Sequence, residues 1–187
     1  MADELIDILD KTGKPTGEIQ LKSKAHALGL YHASVHIWLY TKKREILFQK
    51  RADNKNTFPK LWDVSVAGHI AAGESPENSA IREIAEEIGL YATKDKLKFI
   101  GTHLAEKIPR KGVFDNEFHH IYLLELTIPI QKLTLQKEEV SDVRLLKIDV
   151  LKNIIENPKK NKDFVPHSVA YYKFTFEHLK RQLNSRV

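Results

Sequence analysis

The sequence predicts an α/β domain in which helices cover a mixed β-sheet, and three observations carry that prediction. At 187 residues the chain is long enough for one real core, since a domain of this size buries roughly 70% of the surface its unfolded chain exposes. Strand-like alternations and helical periodicities interleave, but without the strict strand–helix repeat of a doubly wound parallel sheet. No internal repeat, low-complexity run or linker divides the chain, so residues 1–187 are expected to form a single domain.

The elements follow in order. Residues 34–40 (SVHIWLY) alternate, with Val35, Ile37 and Leu39 on one face, and predict a strand. The charged turn Lys42–Arg44 leads into a second strand near Ile46–Gln49. Trp62–Ala67, Phe118–Leu126 and Val143–Ile148 also have strand character. Helical periodicity appears over 76–88, over 150–156 with Asp149 as cap, and over 168–183 after Pro166. Asn157–Asp163 reads as a loop.

Composition narrows the function. With 42% hydrophobic and 29% charged residues, the chain is neither disordered nor fibrous. It has no cysteine, which removes disulfides, thiolate metal sites and a cysteine nucleophile, and fits a reducing, cytoplasmic setting. The start, MADELIDILDKTGK, has no apolar core of a signal peptide, and no run approaches a membrane span. The net charge of +5 comes from scattered residues (Lys42, Lys43, Arg44; Lys50, Arg51; Lys159, Lys160, Lys162) not interleaved with aromatics. That pattern favours an anionic small molecule over nucleic acid.

Residues 68–90, GHIAAGESPENSAIREIAEEIGL, carry the chemistry. Ser75 is a good N-cap, Pro76 suits the first helical position, and Gly89 supplies a left-handed C-cap. Ile81, Ile84, Ala85 and Ile88 form the expected buried stripe, which puts Glu83, Glu86 and Glu87 on the opposite side. That acidic face is locally unfavourable: Glu83 and Glu87 repel at i,i+4, and Glu86 and Glu87 oppose the helix dipole. A hard divalent cation held by carboxylate oxygens resolves the conflict. Gly68 and Gly73 in the preceding loop allow close backbone approach, and Glu74 adds a fourth carboxylate.

Gly68, Glu74 and the run Arg82-Glu83-Ile84-Ala85-Glu86-Glu87-Ile88-Gly89-Leu90 resemble the Nudix box without a mismatch. The resemblance implies an α/β/α sandwich and Mg²⁺- or Mn²⁺-dependent cleavage of a diphosphate linkage. It implies Glu83, Glu86 and Glu87 as metal ligands, one of them a base, with Gly68 lending its carbonyl. Arg82 would orient the glutamates and Glu74 would pair with the arginine.

A wider resemblance, over roughly residues 3–170, is to the isopentenyl diphosphate isomerase-like branch of that family. Glu4–Asp10 with Gly13 and Gly17, Lys24-Ala25-His26, Tyr31-His32-Ala33, Gln49-Lys50-Arg51, Pro59, Trp62-Asp63 with Ser65, Ala67-Gly68-His69, Asp115-Asn116-Glu117 and Lys137-Glu138-Glu139-Val140 carry it. It implies a second metal site of His26, His32, His69, Asp115 and Glu117, suited to Mn²⁺, Zn²⁺ or Fe²⁺. His119 and His120 match nothing in it and read as ordinary histidines. The isomerase requires a cysteine just before the Gly-His pair, and here Ala67 stands there. Alanine moves no proton, so a hydrolase of nucleoside diphosphate derivatives or related organic diphosphates is expected over an isomerase or a prenyl-specific enzyme. Lys50 and Arg51, with Glu139, are candidate substrate contacts. Trp38, Phe58, Trp62, Phe114, Tyr122 and Phe164 are rings of the kind that line a pocket or fill a core. No nucleic-acid or membrane partner is expected, and a homodimer is left open.

Overall fold

The computed structural model describes residues 3–185. A seven-stranded mixed sheet runs through the centre: β3 (His32–Tyr40), β4 (Glu45–Arg51), β5 (Trp62–Asp63), β6 (Val66–His69), β7 (Lys98–Arg110), β8 (Val113–Glu125) and β9 (Val140–Lys147). β3 pairs in parallel with β8 and antiparallel with β6 and β4. A separate hairpin, β1 (Leu5–Leu9) and β2 (Pro15–Leu21), leads into the short helix α1 (Lys22–Leu28).

Two cores lie on the two faces of the sheet. On one face α2 (Pro76–Ile88) packs Ala80, Ile84 and Ile88 against Val35, Ile37, Leu39 and Leu47. On the other, α3 (Asp149–Glu156) and α4 (Val169–Asn184) bring Leu151, Tyr171, Tyr172 and Leu179 onto Trp38, Phe48, Ile121 and Leu123. This is the expected α/β/α sandwich. Trp38 and Tyr122 are core rings, and Phe164 is buried with them.

The sequence expectations need four adjustments. β3, β8 and β9 run longer than read. Trp62–Ala67 is broken at Val64–Ser65, where the Ser65 hydroxyl donates to Leu47 O and accepts from Leu39 N instead of continuing a ladder. Asp149 is the first residue of α3, not its cap, and Ile148 precedes it with no side-chain cap bond. β1, β2, α1 and β7 add to the expected elements. β2 is exposed at six of its seven positions, so no apolar alternation marks it.

Candidate active site

α2 forms where its punctuation places it. Ser75 Oγ accepts from Asn78 N at 3.3 Å, and Gly89 closes the helix at φ 64°, a left-handed conformation costly for other residues. Its glutamates, however, are not on the solvent side. Glu83 and Glu87 are buried beside Ile84 and Ile88, Ile81 is only half-buried, and of the three glutamates only Glu86 is open, at 51%. The apolar stripe lies where expected, but the buried arc extends past it to the two carboxylates. Glu87→Gln therefore alters a buried side chain, not a surface one.

Neighbouring elements hold these carboxylates in place. Glu87 Oε2 accepts from Gln49 Nε2 of β4 and from the Ala67 N–H of β6, both at 3.2 Å. Glu83 lies flat on the backbone of β6: a Cβ at Gly68 would come within 2.0 Å of its carboxyl carbon. Glycine is required there for space, not for its dihedral angles. Arg82 gathers the rest, donating to Glu83 at 2.7 Å, Glu86 at 3.1 Å, Glu74 at 3.1 and 3.2 Å, and His69 O at 3.1 Å. Glu4, the residue before β1, approaches the same guanidinium at 3.7 Å.

Burial disfavours the charged carboxylate and pushes Glu83 up to about 7 against the opposing pull of Arg82. Burial, with Glu83 alongside, also raises Glu87 well above the usual carboxylate range. Arg82 pulls on Glu83 and Lys55 on Glu87, yet both carboxylates stay raised and want either protons or a further cation. Their oxygen chemistry fits a hard divalent ion.

A second cluster forms at the ends of α1, β3, β6 and β8. One ligand atom each from His26, His32, His69 and Glu117 lies within 4.8 Å of the others. His26 Nε2 is 3.2 Å from His69 Nε2, and Glu117 Oε1 is 3.7 and 3.8 Å from the Nε2 atoms of His69 and His32. Hydrogen bonding sets the tautomers. His32 Nδ1 lies 3.0 Å from Leu30 O, so it carries the proton and leaves Nε2 as a buried lone pair with no partner. His26 Nδ1 lies 3.0 Å from both Phe114 O and Asp115 Oδ1, which leaves Nε2 facing His69; against its burial, the Asp115 hydrogen bond and the Glu117 charge raise its proton affinity. Burial holds His69 down to about 4, neutral at physiological pH. Imidazole nitrogens and one carboxylate converging on an orphaned atom fit a borderline transition-metal ion.

Asp115 is not in this group. Strand alternation puts it on the same face as Glu117, as expected, but two residues along β8 is roughly 6–7 Å. From there it backs His26 instead of reaching the centre, the position from which carboxylates orient a ligating imidazole.

A NUDIX domain matches residues 30–168. The chain belongs to the Nudix family. It is 38% identical over 173 residues to Nudix hydrolase 3 of Arabidopsis thaliana, covering 90% of this chain but only 22% of that protein's length. It is 34% identical to an uncharacterized Nudix hydrolase of Clostridium acetobutylicum, covering 96% of this chain and 98% of the relative. It is 30% identical to an isopentenyl-diphosphate Delta-isomerase of Shigella flexneri, covering 84% and 85%. Among solved structures, a protein of Deinococcus radiodurans shares the fold with a TM-score of 0.64 at 19% identity, covering 95% of this chain and 98% of that one.

The matched Nudix domain begins after α1, so His26 comes from outside it. The other candidate contacts divide. Arg51 bonds Asp63 Oδ2 and Thr57 O, both at 3.2 Å. Lys50 lies 5.9 Å over the Trp62 ring, on the α3/α4 side of β4, so it points away from the glutamates. Glu139 pairs with Lys55. Sequence reasoning missed Gln49 and Lys55. Gln49 stands on the strand face opposite Lys50, a position that period-2 alternation already marks. Lys55 lies in an irregular loop with no such marker.

Proposed function

We propose that this Nudix protein is a Mg²⁺- or Mn²⁺-dependent hydrolase that cleaves the diphosphate linkage of a nucleoside diphosphate derivative or a related organic diphosphate. The observation that carries this is the buried Glu83–Glu87 pair, Glu83 laid on Gly68 and held by Arg82, Glu87 held by Gln49 and the Ala67 N–H. The residues that would hold the ion are Glu83, Glu86 and Glu87, with the Gly68 carbonyl beside them. When bound, such an ion neutralises diphosphate charge and makes hydroxide available near neutral pH.

The chain's own groups do the positioning. Gln49 and the Ala67 N–H fix one oxygen of Glu87, and Arg82 fixes Glu83 and Glu86 while Glu74 steadies the guanidinium from behind. Fixed carboxylates lose no reorganisation energy when charge develops, which is the main source of such catalysis. Arg51 and Lys55 lie beside this end of the sheet and provide positive charge for the diphosphate. His26, His32, His69 and Glu117 would hold a second ion, with Asp115 behind His26.

The isomerase reading is disfavoured by one residue. Proton transfer on both sides of an allylic system needs a donor opposite Glu117, and Ala67 supplies none. We expect phosphate or nucleotide release in Mg²⁺ from at least one member of a panel of nucleoside diphosphate derivatives, dinucleotides and isopentenyl diphosphate. No turnover of any member would refute hydrolysis. Enzyme-dependent formation of dimethylallyl diphosphate, read by NMR, would favour the isomerase.

A further inference from the structure

The face of the sheet that carries Glu117 continues into a second group of polar side chains that metal binding does not use. Along β8, alternation sets His119 on the same side as Asp115 and Glu117, and its Nδ1 lies 3.5 Å from Glu117 Oε2 and 2.7 Å from Ser34 Oγ. His36 stacks on His119 with ring centroids 4.0 Å apart, and its Nδ1 takes the Tyr171 hydroxyl at 2.6 Å. On β7, in register with Asp115, stands Lys107. Its ammonium lies 3.1 Å from His167 Nδ1, and His167 Nε2 lies 2.8 Å from Asp63 Oδ1.

Two features tie this group to the site. It is continuous with the histidine–Glu117 cluster, through the 3.5 Å approach of His119 to Glu117 and the pairing of Lys107 in register with Asp115. Lys107 is also under-used. Asp63 accepts the proton of His167 Nε2, which leaves Nδ1 as an acceptor for the ammonium. Among the described residues that imidazole is its only hydrogen-bond partner, and no carboxylate lies within 4.0 Å. An ammonium has three N–H donors, so two remain unspent in a half-buried position.

We propose that Lys107, with His167, His119 and His36, receives the organic group of the substrate, and that this group offers oxygen acceptors, as hydroxyl or carbonyl, and is not a hydrocarbon chain. The inference rests on the hydrolase reading and narrows its substrate class. A prenyl chain laid on this face would strip water from Lys107 and the imidazoles and return no hydrogen bond. Sites built to hydrogen-bond a substrate reject analogues lacking those atoms by up to ~10⁴-fold or more. Lys107 and the imidazoles are specificity-determining groups and take no part in breaking the phosphate linkage.

Binding of methylene-bridged diphosphates, which cannot be hydrolysed, tests this apart from catalysis. By calorimetry with Mg²⁺, the methylene analogue of a nucleoside diphosphate should bind at least ~100-fold more tightly than that of isopentenyl diphosphate. Lys107→Met, which keeps the aliphatic stem, should shrink that ratio about tenfold by weakening only the polar ligand, and Lys107→Arg should recover part of it. Thermal unfolding of each variant reports whether the fold survives. Equal or tighter binding of the prenyl analogue, or an unchanged ratio in a folded Lys107→Met, overturns the inference. Absence of hydrolysis alongside the expected binding ratio would instead count against the hydrolase reading and leave this one standing.

Discussion

The glutamate and histidine clusters meet at Gly68 and His69 of β6, and burial acts on them in opposite directions. Desolvation disfavours whichever form is charged. For Glu83 and Glu87 that raises the proton affinity, against the pull of Arg82 on the first and of Lys55 on the second. For His69 and His32 it lowers the proton affinity, so the rings stay neutral and present lone pairs. One dry environment thus builds an acidic site that demands a cation and a basic site that is already a ligand set. The first is hard and oxygen-based. The second is mixed nitrogen and oxygen, with its tautomers set by Leu30 O, Phe114 O and Asp115.

The largest expected effect comes from removing one acid while keeping its shape. Glu87→Gln should lower kcat by at least ~100-fold. Its unfolding temperature should hold or rise, because the amide still accepts from Gln49 and Ala67 N–H without a buried carboxylate. Turnover within a few-fold of wild type would break the assignment of Glu87. Next, Gly68→Ala drives a methyl into the Glu83 carboxylate, and overpacking of this kind costs ~1–3 kcal/mol. Thermal unfolding should show that loss, and the Mg²⁺ needed for half-maximal activity should rise about tenfold.

On the histidine side, Asp115→Asn should weaken zinc retention by about tenfold, read by competition with a chromophoric chelator, since it takes the negative charge from behind His26 and removes no ligand. An effect as large as that of Glu117→Gln would instead make Asp115 a direct ligand.

The smallest effect is one of pH. Burial, reinforced by His119 and His167, keeps His36 well below its ordinary value of 6.5. Above pH 6.5 both folded and unfolded chains hold it neutral. Below that only the unfolded chain takes up the proton, so stability is lost as pH falls. His36→Gln should flatten the decline in unfolding temperature between pH 6.5 and 5, and an unchanged slope would show that His36 is not buried neutral.

How much of this could be read beforehand depended on whether the information was local. Residues 75–89 contain their own cap, stop and glutamate spacing, so α2 was legible to the residue. The burial of Glu83 and Glu87 was not, because a helical wheel assigns the inward face to apolar residues and these two acids are buried for their chemistry. The three histidines and Glu117 lie on four elements, three of them joined by β3–β6 and β3–β8 pairing, so the resemblance to the isomerase-like branch, not periodicity, brings them together. That same alternation predicts the face of Asp115 but not its distance from the centre. It also sets His119 beside Glu117, a signal present in the i, i+2, i+4 spacing of 115, 117 and 119. In the hairpin, β2 is exposed at six of seven positions and its sequence carries no mark of it, whereas β1 buries Ile6 and Ile8 in alternation.

Anomalous diffraction from crystals soaked separately in Mn²⁺ and Zn²⁺ tests the contrast between the two clusters most directly. Mn²⁺ should appear among Glu83, Glu86 and Glu87. Zn²⁺ should appear ~2.0–2.2 Å from nitrogens of His26, His32 and His69 and an oxygen of Glu117, with Asp115 outside its coordination sphere. Zn²⁺ density absent from the histidines, or Mn²⁺ absent from the glutamates, would contradict the account of two chemically distinct cation sites.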